Sequence, residues 1–218
     1  MSDFSRKAQC NVVVDNDSWI LPYAERIVMR AGERGLIAKL RRRYSDIERG
    51  DVAFFLGCIG VAMPDVLGLN RRNLVVHASD LPKGRGFSPW AWSILAGESV
   101  IPVCLIEAAE EVDSGPILYK DEILLMGHEL VNELRVAIGE KTVELCERFL
   151  YGAPPSSTPQ LGDPTYCKRR RPQDSELDPN RTISDQFDLL RIVDNVKYPA
   201  FFEIRGHRYV LSIQKVPK

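Results

Sequence analysis

One histidine closes an apolar run in the stretch NLVVHASDLPKGRGFSPW, residues 73–90. Asn73 to Val76 read as a core strand. His77, Ser79 and Asp80 follow, then Pro82, Pro89, two glycines and the cations Lys83 and Arg85. Imidazole is the side chain that exchanges a proton near neutral pH without help from its surroundings. Asp113 lies in VDSGPIL, a turn after the next long strand, so two strand-end loops are placed to bring a carboxylate to His77. Such a partner fixes the ring tautomer and raises its basicity, which suits proton transfer. Taken singly, His77 reads as a hydrogen-bonded structural residue and Asp113 as a turn residue before Ser-Gly. Together they point to chemistry.

The elements that must hold the two residues can be read from hydrophobic period. CNVVVDN (10–16), DVAFFLGCIGVAMP (51–64), NLVVHAS (73–79) and SVIPVCLIEAA (99–109) are apolar runs of the kind buried on both faces of a sheet. Pro102 puts the first part of the last run at an edge or bulge. Trp19 to about Gly35 has helical spacing behind a Ser18 N-cap, with Ile20, Ala24, Ile27, Val28 and Ala31 near one face. SPWAWSILAG (88–97) is a short helix with Pro89 at its first position and Gly97 at its end. GPILYKDEILL (115–125) alternates as a strand, and His128 to about Tyr151 forms a long amphipathic helix. Residues 152–174 are rich in Pro and Ser and read as a solvated connector. Thr182 and Asp185 then resemble a capping box, and AFFEIRGHRYVLSIQK (200–215) a hairpin turning near Gly206. Strands alternating with helices imply an α/β domain with a mainly parallel sheet, whose ligands sit beyond the strands' carboxyl ends.

The composition removes several alternatives. With 218 residues, 44% hydrophobic and 27% charged, the chain suits one sizeable soluble domain with a small appendage. A formal net charge of −1 recommends no broad nucleic-acid surface. No apolar run approaches a membrane span, and MSDFSRKAQC lacks a signal-peptide layout, so a cytoplasmic location is expected. The five cysteines are odd in number and never C-x-x-C, and the three histidines show no H-x-x-x-H, so reduced thiols and no metal are expected.

The compound pattern H-A-S-D-L-P-K-G-R-G-F-S-P with a later D-S-G resembles the formyltransferases that use 10-formyltetrahydrofolate. It is carried by His77, Ser79, Leu81, Pro82, Gly86, Pro89, Asp113 and Gly115, within a resemblance over roughly residues 10–150. The resemblance implies a Rossmann-like formyltransferase fold, with a catalytic domain over 1–160 and a carboxyl-terminal extension of helix and hairpin over 161–218. It implies that His77 and Asp113 catalyse formyl transfer from the folate to an amine. Ile59, Val61, Ala62 and Met63, with Val112 from the segment before Asp113, would line the pterin pocket. The family pattern is Asn-x-His, whereas Val75 stands two before His77. Asn73 is about 13 Å away along an extended strand, so the group that polarises the formyl oxygen is unassigned.

Among acceptor branches, methionyl-tRNA formyltransferases carry a larger carboxyl-terminal domain, and glycinamide ribonucleotide formyltransferases a Gly-rich loop that VVVDNDSWILPYAE lacks. DNDSWILPYA, KRRRPQDSELD and QFDLLRIVDNVKYPAFF resemble nucleotide-sugar N-formyltransferases of bacterial surface-glycan synthesis, which act on 4-amino-4,6-dideoxy sugars. A UDP-, dTDP- or GDP-linked acceptor would need cations and a flat aromatic surface. Lys83, Arg85, the run Lys168, Arg169, Arg170 and Arg171, and Arg191 are candidate phosphate partners, and Trp19, Trp90, Tyr198 and Phe201 candidate walls. Rival readings are a binding protein with a degenerate site and a folate hydrolase. Exposed apolar residues on the terminal hairpin leave a homodimer open.

Overall fold

The computed structural model describes residues 8–153 and 155–216. Strands β1 (Gln9–Val13), β2 (Ile37–Arg41), β3 (Gly50–Phe55), β4 (Asn70–His77), β6 (Val100–Glu107) and β7 (Ile117–Leu124) form one six-stranded sheet in the order β2-β1-β3-β4-β6-β7. The first four are mutually parallel. β6 runs antiparallel to β4, and β7 antiparallel to β6. The remaining elements are two-residue strands β5 (Arg85–Gly86) and β8 (Tyr166–Cys167), hairpin strands β9 (Ala200–Ile204) and β10 (His207–Leu211), and helices α1 (Leu21–Glu33), α2 (Pro64–Leu67), α3 (Pro89–Leu95), α4 (Val131–Tyr151) and α5 (Phe187–Ile192). This is the expected α/β fold with a mainly parallel sheet, small helix and hairpin. Among the described residues no helix is long and apolar enough to cross a membrane.

Alternation explains how the sheet is buried on both faces. Cys10, Val12, Val52 and Phe54 face α1, α3 and α4 with Ile27, Ile94, Leu134 and Phe149, whereas Val13, Ala53 and Phe55 face the opposite side with Ile47, Val66 and Leu67. Helix α1 buries Ala24, Ile27 and Ala31. It meets α4 where Gly139 leaves room for the Tyr23 ring; a Cβ there would sit 2.4 Å from it. Arg26–Glu140 and Arg30–Glu147 ion pairs flank the contact.

Local signals differ from expectation in three places, while Pro102 lies at an edge as expected. Ser18 does not cap α1 with its side chain; its carbonyl accepts from Leu21 N instead. Pro102 is tolerated because β4 pairs only with Cys104–Glu107, so on that side Pro102 has an edge's freedom. Thr182 Oγ1 accepts from Asp185 N, as half of the expected box, and the helix that follows is brief. Residues 155–168 are no bland connector. Thr158 bridges Ile117, and β8 pairs with β5, so this stretch lies as a strap across the loop after His77.

Candidate active site

The carboxyl ends of β1, β3 and β4 open into one cleft of about 1120 Å³, whose lining includes Asn16 to Leu21, Leu56 to Ala62 and Val75 to Ala78. His77 ends β4 there, with its side chain 7% exposed. Its Nε2 lies 2.8 Å from the Gly84 carbonyl oxygen, an acceptor only, so Nε2 carries a proton. Nδ1 faces Asp113 Oδ2 across 3.5 Å, wider than a formed hydrogen bond. Asp113 Oδ2 also accepts from Gly86 N at 2.9 Å.

The two residues meet by a route the pattern did not foresee. Because β6 is antiparallel to β4, its end at Glu107 lies opposite Leu74, short of His77. Residues 108–116 must fold back along β4. Asp113 adopts φ 54° to do so, and Gly115 presses so closely on Glu107 that a Cβ would lie 1.9 Å from the Glu107 carbonyl oxygen. Only glycine fits that turn.

One wall of the cleft is apolar and uncovered. Ile59, Val61 and Val112 line it at 44%, 50% and 42% exposure, with Ala62 between. That face suits a flat heterocycle such as a pterin. Asp15 clamps the loop, accepting from Ile59 N and Gly60 N. Burial opposes its charge, but hydrogen bonds from Asn16, Gly60, Ile59 and its own backbone outweigh this and hold the carboxyl below the usual range. Met63, expected in this wall, lies outside the cleft as the residue before α2.

The lining also carries the cations Arg135, Arg169, Arg170, Arg171 and Lys197, with Trp19, Tyr198 and the carboxylates Asp17 and Asp194. The basic run is anchored through its backbone and Arg170, while Lys168, Arg169 and Arg171 stay exposed. Trp92 Nε1 donates to the Lys168 carbonyl, and Arg170 Nη2 donates to the Asp174 carbonyl. Burial pulls the Arg170 guanidinium below its usual value, with Asp174 only partly offsetting it, and its Nε is buried without a partner.

Four expected phosphate partners do not face this space. Arg85 is buried, giving Nη1 to Glu111 and Nε and Nη2 to Gln160. Arg191 is buried between Glu129 and Asp188. Lys83 is exposed outside the cleft lining, and Lys168 turns to Asp174. Asn73 donates to the Leu67 and Asn70 carbonyls, so it does not replace the missing amide. Of the expected run Lys168 to Arg171, Arg169, Arg170 and Arg171 line the cleft, and sequence reasoning missed Lys197. It also missed Gln160, which nothing in PSSTPQLG marks.

A family model described as formyl transferase matches residues 43–149, which include His77, Asp113 and the apolar wall. Over those residues the chain is similar to formyl transferases. Within the curated relatives, methionyl-tRNA formyltransferase of Thermosipho africanus is 37% identical over 137 residues, 63% of this chain and 42% of that protein. The chain spans less than half the length of the curated relatives it matches. Among solved structures, methionyl-tRNA formyltransferase from Clostridium thermocellum has a TM-score of 0.82 at 19% identity, covering 96% of this chain and 94% of that one. A Mycobacterium tuberculosis protein described as a likely sugar N-formyltransferase has 0.73 at 19%, covering 97% and 99%. HypX from Aquifex aeolicus, solved with tetrahydrofolic acid, has 0.74 at 16%, covering 96% and 38%. At these identities the solved structures establish the formyltransferase fold.

Proposed function

We propose that the chain transfers a formyl group from 10-formyltetrahydrofolate to the primary amine of a nucleotide-linked 4-amino-4,6-dideoxy sugar. The carrying observation is the His77–Asp113 pair at the floor of a cleft with one apolar wall and consecutive arginines in its lining. The folate supplies an activated formyl carbon and would lie against Ile59, Val61, Ala62 and Val112. The sugar nucleotide would present its pyrophosphate to Arg169, Arg170 and Arg171, where the unpartnered Arg170 Nε is short of an acceptor. Trp19 and Tyr198 would bound its base and sugar.

The amine attacks the formyl carbon, a new C–N bond forms, and the bond from that carbon to the folate nitrogen breaks. The amine loses one proton and the leaving nitrogen gains one. His77, steadied by Asp113, is the group placed to carry it. The amine must be neutral to attack, so the rate rises toward mildly alkaline pH.

A tRNA acceptor is the second reading, favoured by the identity to methionyl-tRNA formyltransferase. A tetrahydrofolate-release assay with UDP-, dTDP- and GDP-linked 4-amino sugars and with methionyl-tRNA separates the two. Turnover with a sugar nucleotide supports the proposal; turnover with charged tRNA alone overturns it. Release with no acceptor would mark a hydrolase, and tight binding without release a sensor. In the supporting case, Arg169→Ala with Arg171→Ala should raise acceptor KM roughly ten-fold or more, with folate KM unchanged.

A further inference from the structure

The two backbone groups that hold the reacting pair flank one residue. Gly84 gives its carbonyl to His77, Gly86 gives its N–H to Asp113, and Arg85 lies between them with its guanidinium buried. That guanidinium reaches Gln160 Oε1 through Nη2 at 2.9 Å and Nε at 3.3 Å. Gln160 Nε2 in turn donates to the carbonyl of Asp113 at 2.7 Å and of Gly115 at 2.8 Å. The amide orientation is fixed by its partners. Arg85 can only donate and the two carbonyls can only accept, so a flipped amide would oppose like groups on both sides. Glu111 closes the circuit by accepting from Arg85 Nη1 and Tyr166 Oη, and Gly84 N donates to Thr165 Oγ1. The strap residues 160, 165 and 166 therefore touch both loops that carry the chemistry.

We propose that Gln160, oriented by Arg85, is a positioning residue that sets how Asp113 meets His77. Within its loop the left-handed backbone at Asp113 is held by Ser114, whose N–H and Oγ donate to the Glu111 carbonyl, and from outside Gln160 braces the carbonyls on both sides of Ser114. Its effect passes through Asp113, and Gln160 touches no reacting atom. The inference rests on the formyl-transfer reading for its kinetic consequence, though not for its structural one.

Two variants separate bracing from mere support of the strap. Gln160→Glu keeps an acceptor for Arg85 but opposes carboxylate oxygens to the Asp113 and Gly115 carbonyls. Gln160→Met keeps the length and removes both bonds. With kinetics go ring ¹⁵N spectra of the three histidines, His77 being assigned with a His77→Gln sample. In both variants kcat should fall on the order of 10²-fold, because a misplaced carboxylate no longer aids the proton carrier. Folate KM should stay within about three-fold of wild type. The His77 nitrogens should move while those of His128 and His207 do not. Unmoved His77 resonances in both folded variants overturn the inference, whatever the activity. Wild-type-like kcat in both overturns it equally. If wild-type protein transfers formyl to no acceptor and the His77 nitrogens still move, the formyl-transfer reading fails and the positioning role stands.

Discussion

At the residue scale, charge and hydrogen-bond geometry decide what each group is free to do. The meeting of His77 and Asp113 was legible only from the pair, since each alone reads as structural and only two strand-end loops together set them side by side. His77→Ala and Asp113→Asn should each lower turnover by about 10²–10⁴-fold, the usual worth of a placed proton carrier. Melting temperature should hardly change, and calorimetry beside steady-state kinetics checks both. The cations were less legible, since a sequence does not say which anion an arginine meets. Arg85 and Arg191 met Gln160, Glu111, Glu129 and Asp188 inside the protein, which leaves no charge to offer a phosphate. Asp15 makes a pH prediction. Its carboxyl titrates below the ordinary value in the folded chain, so its contribution is complete above the ordinary aspartate range and is lost as pH falls through the depressed value. Thermal melts should thus show Asp15→Asn less stable than wild type at neutral pH, with the gap closing in strong acid. A gap that stays constant would contradict this.

At the element scale, hydrophobic period located the main strands and helices but not β2, α2, β5 or β8, and gave no strand directions. A run such as VIPVCLIE is equally apolar whether it lies parallel or antiparallel to β4, so the reversal at β6 was invisible, and with it the backward fold of residues 108–116. The strap was invisible for a different reason. Its bonds are made by Thr158, Gln160, Thr165 and a two-residue strand, none of which leaves a periodic signal. Its weakest point is identifiable. Gly86 sits at φ 95°, and a Cβ would come within 2.7 Å of the Cys167 carbonyl oxygen. Gly86→Ala should therefore cost about 1–3 kcal/mol in the backbone alone and part β5 from β8. Faster proteolytic nicking within 155–168, read by mass spectrometry, is the expected outcome.

At the scale of the whole molecule, the sheet's burial on both faces shields most thiols. Cys10, Cys104 and Cys146 are buried, and Cys58 and Cys167 half-buried. Burial pushes Cys10 up to about 12 and Cys104 to about 11, and Cys146 well above its ordinary value. A thiol-exchange reagent at pH 8 should modify no more than Cys58 and Cys167 in the native state, and all five after denaturation. Native modification of Cys146 as fast as Cys167 would show that α4 opens readily. Reductant should leave the melting temperature unchanged.

The strap bears on how such a protein could be re-engineered. The stretch that braces Asp113 runs directly into Arg169 to Arg171, so a single covalent thread carries both the arginines of the cleft and the support of Asp113. A chimaera that exchanges tails at residue 160 would import a foreign lining and sever the brace in one cut. Joining at residue 152, where α4 has ended, would let the graft keep its own glutamine, threonine and tyrosine with its own arginines. Under the proposed function, changing the acceptor without losing turnover is then a question of where the seam is placed.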